Sequence, residues 1–278
     1  MGHRDLNGKV VAVTGAGSGI GRAVARLAAS RGANLALSDW NKVGLDETVE
    51  LVGTGVDVIS TPVDVADRAA VAAWATEVAD HFGRVNMIVN NAGVTVAGDF
   101  VEMSYEDFDW IVGINFMGVV HGTKEFLPHL IASGDGYLVN ISSLFGLISM
   151  PGQSAYNATK YAVRGFTEAI REEMLIAKHP VGVTCVHPGG IKTGIARNGR
   201  KTASQDADAL DRIFEEKLAR MTPEKAAKII LDGALAHKPR VLVGMDAHAI
   251  HHFAKFAGAR YQDVFAAASK RIMPTPKS

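Results

Sequence analysis

The sequence has few of the features that mark secreted or membrane proteins. A single cysteine, Cys185, excludes an intrachain disulfide and is typical of a reducing compartment. No apolar run reaches the eighteen or so residues that a transmembrane helix needs. The first residues, MGHRDLNGKV, lack the apolar centre of a secretory signal. The sequence therefore predicts a cytoplasmic protein.

Charge of one sign is not in excess either. The 278 residues include 29 Lys and Arg against 29 Asp and Glu, which gives a formal net charge of zero. Binding to a phosphate backbone needs a basic face, so this balance argues against nucleic acid as a partner. Three histidines lie near Asp246, but no spacing pattern supports a metal site. A solvated helix face is the favoured interpretation, and we expect no metal. The three histidines are His248, His251 and His252.

Short apolar runs alternate with amphipathic stretches of helical length. The runs are nearly continuous in apolar residues, as in strands buried on both faces, and lie at 9–15, 34–40, 56–61, 85–93, 136–143, 181–189 and 240–244. Helical patterns lie at 19–31, 67–82, 104–132, 153–178, 206–219 and 223–237. This alternation implies parallel pairing. We therefore predict an α/β, doubly wound Rossmann fold, with a mostly parallel seven-stranded sheet and helices on both faces.

The chain divides into one predicted domain, 1–246, and a C-terminal extension, 247–278. Apolar residues in the extension fall near helical spacing with a break at Gly258, which predicts one or two amphipathic helices. Packing on the body or on a neighbouring subunit is the favoured interpretation. Contact with a membrane surface, through basic residues such as Lys255 and Arg260, is the alternative.

A glycine-rich loop, VTGAGSGIGR, joins the first strand to the first helix and carries Gly15, Gly17, Gly19 and Gly21. Glycines let the backbone approach a pyrophosphate, and N–H groups at a helix N-terminus favour an anion. A P-loop is excluded because Arg22 follows the last glycine, and G-x-G-x-x-G fails at Ile20. The pattern T-G-x-x-x-G-x-G remains and predicts a dinucleotide site. A tight turn that needs positive φ is the alternative.

Two carboxylates follow the second and third predicted strands. Asp39 lies about twenty residues past the glycines, where a carboxylate accepts hydrogen bonds from an adenosine ribose and repels a 2′-phosphate. We therefore expect NAD rather than NADP. The alternative is that Asp39 begins a turn before Asn41. For Asp64, contact with the adenine amino group and capping of the next helix remain equally open.

Tyr156 and Lys160 lie four residues apart and share one face of a predicted helix. Ser143 ends the strand that precedes this helix. A cation beside a tyrosine favours the phenolate and moves its pKa, ordinarily ~10, towards neutral pH, where general acid/base catalysis works best. For the pair alone, an ordinary solvated helix face is the alternative.

Taken together, these residues resemble the short-chain dehydrogenase/reductase (SDR) family, in its short single-domain branch, over roughly residues 7–245. The resemblance depends on Thr14-Gly-x-x-x-Gly-x-Gly21, Asn90-Asn91-Ala92-Gly93, Asn115, Ser143, Tyr156-x-x-x-Lys160 and Pro188-Gly189. Thr159 departs from the serine that is usual in the tyrosine motif. Ser142 neighbours Ser143, and the thirteen-residue spacing to Tyr156 favours Ser143.

The resemblance implies a role for each of these residues. Tyr156 exchanges a proton with the substrate oxygen, which Ser143 holds, and Lys160 binds the nicotinamide ribose and lowers the pKa of Tyr156. Asn115 distorts its helix and holds a water in a proton relay. Ile191 and Thr193 clamp the carboxamide. The implied cofactor contacts are Gly15, Ser18, Gly19, Ile20, Gly21, Asp39, Trp40, Asp64, Val65, Asn91, Ala92, Gly93, Tyr156, Lys160, Pro188, Gly189, Ile191 and Thr193.

The implied function is an NAD-dependent oxidoreductase that interconverts a secondary alcohol and a ketone. A non-catalytic nucleotide-sensing protein on the same fold is the alternative. Apolar residues between Ser143 and Tyr156 favour a hydrophobic small-molecule substrate; they are Phe145, Leu147, Ile148 and Met150. The resemblance also implies a homo-oligomer, a tetramer or a dimer, formed through helices 104–132 and 153–178.

The segment 194–222 is expected to close over the substrate as a lid. Its apolar residues face either the pocket or the core, and they are Ile195, Leu210, Ile213, Phe214 and Leu218. The polar run Gly199-Arg200-Lys201-Thr202 suggests that the lid is mobile.

Overall fold

The computed structural model describes residues 5–203, 205, 206, 208, 209, 212, 216 and 219–272. Four of the apolar lid residues named above, Leu210, Ile213, Phe214 and Leu218, lie outside this part of the chain.

The described residues form nine strands in chain order: β1 (Val10–Thr14), β2 (Asn34–Asp39), β3 (Val58–Pro62), β4 (Met87–Asn90), β5 (Val96–Ala97), β6 (Gly136–Ile141), β7 (Val181–Pro188), β8 (Arg200–Lys201) and β9 (Arg240–Val243). Seven of them build one sheet in the order β3-β2-β1-β4-β6-β7-β9, and every pair is parallel. The predicted doubly wound fold is thereby confirmed. The strand order reverses between β1 and β4, which is where sheets of this kind bind ligands.

The named helices are α1 (Gly19–Ser30), α2 (Lys42–Val52), α3 (Arg68–Phe82), α4 (Tyr105–Val112), α5 (Gly118–Ala132), α6 (Ser154–Ile176), α7 (Pro223–Leu235), α8 (Met245–Ala257) and α9 (Tyr261–Ile272). Two apolar cores cover the two faces of the sheet. Val11 and Val13 of β1 point to the core shared with α1, α2 and α7. Val10 and Ala12 point to the core shared with α3, α5 and α6. This alternation follows from the two-residue period of a strand.

The helices of the structure differ from the predicted ones in two places. The helix predicted over 104–132 is interrupted by a π-helical turn, Gly113–Met117, between α4 and α5. Helix α2 was not predicted, because Gly44 in its first turn weakens the helical pattern. Asn41 stabilises the start of α2, since its side chain accepts a hydrogen bond from the N–H of Gly44 at 3.3 Å.

The C-terminal extension forms two helices separated by a 3-10 turn at Gly258–Arg260. Ala247, Ala254 and Tyr261 of the extension pack against Leu144 and Ile148, which follow β6. The extension therefore packs on the body of the protein. Within the described residues, no helix combines the length and apolarity needed to cross a membrane.

Candidate active site

Ser143, Tyr156 and Lys160 converge at the carboxyl end of β6. Ser143 lies two residues past the end of this strand and begins a 3-10 turn, where its Oγ accepts a hydrogen bond from the N–H of Phe145 at 3.1 Å. Its side chain also hydrogen-bonds that of Tyr156. Lys160 lies one turn further along α6, with Nζ over the tyrosine ring at 5.6 Å from its centre.

Burial sets the protonation of this group. It raises the pKa of Tyr156, and the hydrogen bond with Ser143 opposes this shift by a smaller amount. It also lowers the pKa of Lys160 to about 8. Desolvation dominates this shift, and Lys160 is not among its resolved causes, so the implied lowering of the Tyr156 pKa by Lys160 stays a prediction. At neutral pH Tyr156 is therefore a neutral phenol, while Lys160, with a pKa of about 8, is still mostly an ammonium.

Asn115 lies in the π-helical turn and is fully buried. Its Oδ1 accepts a hydrogen bond from the N–H of Val94 at 2.8 Å, and its Nδ2 donates to the carbonyl of the same residue at 2.9 Å. Nδ2 also lies 3.3 Å from Oγ1 of Thr159, which in turn donates to the carbonyl of Tyr156 at 2.9 Å. The threonine hydroxyl thus connects Asn115 to the tyrosine helix.

Gly93 lies beside the proposed catalytic group. A Cβ built on Gly93 would lie 3.3 Å from Oδ1 of Asn115 and 3.4 Å from Nζ of Lys160. Nζ also donates to the carbonyl of Ile141 at 3.1 Å. The loop after β4 therefore runs on towards Lys160, and contact of Gly93 with the cofactor stays a prediction.

The neighbouring serines point to different partners. Ser142 donates its hydroxyl to the backbone carbonyl of Lys160 at 2.8 Å and is almost fully buried. Ser143 turns towards Tyr156. Successive side chains of an extended segment point in opposite directions, so only one of the two can face the phenol. The geometry favours Ser143 over Ser142.

The apolar residues after Ser143 divide between two environments. The ring of Phe145 meets that of Tyr156 edge to face, with 6.1 Å between ring centres. Ile148 is fully buried and packs towards the C-terminal helices. Met150 contacts the same helices through its sulfur, 3.6 Å from Oγ of Ser269. Of these residues, Phe145 is the one that borders the phenol.

The glycine loop needs its glycines for two different reasons. Gly15 and Gly19 have φ of +66° and +52°, which other residues rarely adopt. A Cβ on Gly21 would lie 2.1 Å from the carbonyl oxygen of Gly15. Ser18 begins α1 without capping it through its side chain. The backbone N–H groups that follow, including that of Ile20, therefore remain for an anion.

Asp39 both begins a turn and supports the glycine loop. Its Oδ1 accepts a hydrogen bond from the N–H of Asn41 at 2.8 Å, and its Oδ2 accepts one from the N–H of Gly17 at 2.8 Å. An ionised carboxylate accepts about four hydrogen bonds, so each oxygen retains capacity for a ribose hydroxyl. The adjacent Trp40 is 80% exposed.

Arg22 and Thr48 support the glycine loop, although neither was predicted to be a site residue. The Arg22 guanidinium donates to the carbonyls of Gly17 and Gly44, the latter at 3.0 Å. The Thr48 hydroxyl donates to the carbonyl of Ala16 at 2.8 Å. An arginine directly after the last glycine was a visible signal, but it served only to exclude a P-loop.

Asp64 and Val65 follow β3. Asp64 is exposed, and its Oδ1 accepts a hydrogen bond from the N–H of Ala66 at 2.9 Å. The residue that caps α3 is Asp67, so the capping interpretation of Asp64 was wrong. Val65 is buried, and its carbonyl lies 3.0 Å from Nδ1 of His121 on α5.

Asn91 and Ala92 connect the end of β4 to the glycine loop. Nδ2 of Asn91 donates to the carbonyls of Thr14 and Gly15 at 2.9 and 3.1 Å. The N–H groups of Asn91 and Ala92 donate to Oγ1 of Thr14 at 3.0 and 3.1 Å. The described contacts of these residues therefore shape the loop.

The segment Pro188–Thr193, called the clamp below, follows β7. Lys192 N–H donates to the carbonyl of Met221 at 2.8 Å, and Met221 N–H donates to the carbonyl of Gly190 at 3.2 Å. These two bonds flank Ile191 and leave its own N–H and C=O unused by the bridge. Backbone groups oriented in this way can hold a carboxamide.

The clamp faces the glycine loop. A Cβ on Gly19 would lie 3.1 Å from Cγ2 of Thr193. A cavity of about 500 Å³ adjoins both segments, and Arg22 and Lys192 are among its lining residues. An open helix N-terminus, glycines with no room for a side chain and basic residues nearby fit the pyrophosphate of a dinucleotide.

The start of the predicted lid includes a short strand that pairs with another segment. Strand β8 pairs in parallel with β5, and Arg200 N–H donates to the carbonyl of Thr95 at 3.0 Å. The Arg200 guanidinium forms an ion pair with Asp107 at 2.8 Å and lies 4.0 Å from the ring centre of Trp110. The polar run that suggested mobility is thus held by these contacts, while Ile195 is half-buried.

The histidines of the extension lie on α8, where the rings of His248 and His252 stack at 6.4 Å between centres. Across the described residues, no group of three or more His, Cys, Asp or Glu side chains is arranged to hold a metal ion.

Comparison with known proteins gives a consistent result. A family model described as short chain dehydrogenase matches residues 9–204. The chain is 51% identical to a Mycobacterium tuberculosis protein that bears the name oxidoreductase SadH, over 98% of this chain and 99% of that protein. It is 35% identical to the 3-oxoacyl-[acyl-carrier-protein] reductase FabG of Thermotoga maritima, over 81% of this chain and 90% of that one.

A solved structure is also similar over nearly the whole chain. It is a short chain dehydrogenase/reductase from Burkholderia phymatum in complex with NAD, with a TM-score of 0.83 and 31% identity over 99% of both chains. The similarity therefore includes the C-terminal helices as well as the sheet.

Proposed function

The chain belongs to the short-chain dehydrogenase/reductase family of oxidoreductases, and from that membership we propose that it interconverts a secondary alcohol and a ketone with NAD as cofactor. One observation carries the proposal. The side chains of Ser143, Tyr156 and Lys160 meet at the carboxyl end of β6, with the phenol hydrogen-bonded to the serine and Nζ 5.6 Å from the tyrosine ring centre.

Each of the three residues has a separate part in the proposed reaction. Tyr156 exchanges a proton with the substrate oxygen, and Ser143 holds that oxygen by a second hydrogen bond. The raised pKa of Tyr156 keeps the phenol protonated at neutral pH, which suits proton donation to a carbonyl. Lys160 supplies ammonium donors beside Gly93 and Asn115 for the ribose next to the nicotinamide. A bound nicotinamide supplies the hydride acceptor or donor.

The preference for NAD depends on Asp39. Its carboxylate is mostly buried at the end of β2 and already accepts hydrogen bonds from Gly17 and Asn41. A negative charge in this position repels a 2′-phosphate and accepts hydrogen bonds from ribose hydroxyls. The NAD complex of the Burkholderia phymatum relative supports this choice of cofactor.

A hydrophobic substrate is supported by the surroundings of Tyr156. The tyrosine packs against buried Val96, Ile111 and Ala155, and Phe145 meets its ring at the edge. Among these apolar neighbours, the phenol and the Ser143 hydroxyl are the groups that bind the reacting oxygen of the alcohol or ketone. A homo-oligomer and a cytoplasmic location stay predictions.

The proposal is tested with a panel of secondary alcohols and NAD, followed through the absorbance of the reduced cofactor. We expect turnover by the natural chain and a loss of at least about 10²-fold in Tyr156→Phe, which removes the acid/base group but retains the ring. Tyr105→Phe, at an 89% exposed residue of α4, is the matched control.

Binding of NAD is measured on the same variants by calorimetry. Tyr156→Phe is expected to bind NAD nearly as well as the natural chain does. Full turnover by Tyr156→Phe would remove Tyr156 from the reaction. NAD binding by the natural chain, with no turnover of any alcohol or ketone, would favour the nucleotide-sensing alternative.

A further inference from the structure

Helices α8 and α9, which follow β9, contact both sides of the proposed active site. Towards the clamp, Asp246 in the first turn of α8 reaches Gly190. Towards the loop after Ser143, the hydroxyl of Tyr261 accepts a hydrogen bond from the N–H of Ser149 at 3.0 Å. The helices that follow β9 thus support the main chain on which the site is built.

The Asp246 carboxylate lies against three glycines. Its Oδ2 accepts a hydrogen bond from the N–H of Gly190 at 2.7 Å. A Cβ on Gly189 would lie 2.3 Å from the same oxygen, and a Cβ on Gly244 would lie 2.2 Å from Oδ1. Only residues without side chains permit so close an approach between the carboxylate and the clamp.

Among the described residues, the other hydrogen bonds that hold the clamp are made by backbone groups. Gly189 N–H donates to the carbonyl of Val243 at 2.9 Å, and Lys192 N–H donates to the carbonyl of Met221. Asp246 is the side chain in this set of contacts, so it can be changed without altering the backbone pairing. Its hydrogen bond lies directly before Ile191, whose own N–H and C=O are not used by the bridge to Met221.

We infer that Asp246 is a positioning residue, which holds Gly190 and thereby sets the backbone of Ile191 against the nicotinamide carboxamide. The inference rests on the proposed use of a nicotinamide cofactor. A hydrogen bond to a charged acceptor is stronger and shorter than a neutral one, and the 2.7 Å distance fits that class. A displacement of roughly 1 Å in such a support is enough to impair orientation of a reacting group.

The test compares three variants of the full chain by NAD calorimetry. Asp246→Ala removes the acceptor, and we expect roughly a tenfold increase in the Kd for NAD. Asp246→Asn retains an oxygen that can accept from Gly190, so most of the affinity is expected to return. Asp263→Ala removes an exposed carboxylate from α9 and is expected to leave the Kd unchanged.

The stereochemistry of hydride transfer separates positioning from general stability. A ketone is reduced with NADH that carries deuterium on one face of C4 of the nicotinamide. The natural chain is expected to transfer hydride from one face of the ring. Asp246→Ala is expected to lose part of that selectivity, because a loosened clamp admits the flipped ring. The melting temperature, measured alongside, shows whether a variant is simply unfolded.

Two outcomes overturn the inference, and they are distinguishable. A natural Kd and natural face selectivity in Asp246→Ala would overturn it while the proposed function stands. A natural chain that binds no NAD would overturn the proposed function and this inference with it. Should Asp246→Ala not fold, Asp246→Glu keeps the charge at the helix N-terminus, displaces the acceptor by one methylene, and is expected to raise the Kd in the same direction.

Discussion

The Asp39 carboxylate, at the end of β2, accepts a hydrogen bond from the backbone N–H of Gly17 at 2.8 Å. The residue that is proposed to select the cofactor therefore also supports the loop that is proposed to bind its pyrophosphate. Turn formation with Asn41 and a place in the cofactor site appeared as alternatives in the sequence. The geometry allows both, because a carboxylate has two oxygens and each can accept more than one hydrogen bond.

Replacement of Asp39 is expected to change cofactor preference. Asp39→Ala removes both the charge and the acceptors, so the ratio of kcat/KM for NAD to that for NADP should fall by about tenfold or more. Glu50→Ala, which removes an exposed carboxylate from α2, is the control. An unchanged ratio in Asp39→Ala would assign the preference to another group.

A side chain at position 17 is expected to displace that carboxylate. In Gly17→Ala the new Cβ would lie 2.9 Å from Cγ and Oδ2 of Asp39 and 3.2 Å from the carbonyl carbon of Gly44. We expect a loss of about 1–3 kcal/mol in the free energy of unfolding, as for other overpacked sites, and weaker NAD binding. Urea unfolding and calorimetry measure the two effects.

The matched control for Gly17→Ala is Gly55→Ala. No atom lies within 4 Å of a Cβ built at Gly55, so its free energy of unfolding should change by no more than about 0.5 kcal/mol. Equal losses in the two variants would show that the contact with Asp39 is not what restricts position 17.

Substitution of one serine is expected to lower mainly activity, and substitution of the other to lower mainly stability. Ser143→Ala removes the hydroxyl that hydrogen-bonds Tyr156, and kcat should fall by about 10²-fold. Ser142→Ala removes a hydrogen bond to the backbone of Lys160, and should cost about 1 kcal/mol of unfolding free energy with a smaller effect on kcat. Steady-state rates together with urea unfolding test both. The reverse pattern would identify Ser142 as the residue that holds the substrate.

His187 is expected to make the fold sensitive to acid. It is fully buried, its Nδ1 lies 2.9 Å from the carbonyl oxygen of Ser143, and burial lowers its pKa from 6.5 to about 4. Between these values the unfolded chain binds a proton that the folded chain does not. The free energy of unfolding therefore falls as pH is lowered through this window, by up to about 3 kcal/mol from this group.

His187→Gln isolates this contribution, since glutamine does not titrate and can still donate to the Ser143 carbonyl. The free energy of unfolding of the variant should depend less steeply on pH between about 6.5 and 4 than that of the natural chain. Parallel pH profiles for the two proteins would show that His187 is not the responsible group.

The sheet was predictable because its strands are buried on both faces. The runs predicted at 9–15 and 34–40 end within one residue of β1 and β2. The strand predicted to reach position 93 ends at Asn90. Asn91 leaves the strand because its side chain hydrogen-bonds the carbonyls of Thr14 and Gly15, a long-range contact that periodicity does not contain.

The parts that were not predicted depend on contacts between distant segments. Strands β5 and β8 are two residues long, too short for any periodic pattern, and they exist through pairing across about a hundred residues. Asp246 meets Gly190 across 56 positions. The spacing of Ser143, Tyr156 and Lys160 was informative because all three belong to one strand–turn–helix unit, in which local geometry brings them together.

The π-helical turn at Gly113–Met117 has a consequence for how this chain can change in length. A π-helical turn contains one residue more than an α-helical turn. Because each residue advances an α-helix by about 100°, this extra residue rotates α4 relative to α5 about the helix axis. Ile111 thereby packs beside Val96, while Phe126 meets Trp74 in a different core. Deleting one residue would give a more regular helix but would turn one of these side chains out of its core. Insertions and deletions among natural relatives are therefore expected in the surface loops, and the number of residues from 105 to 132 is expected to stay constant.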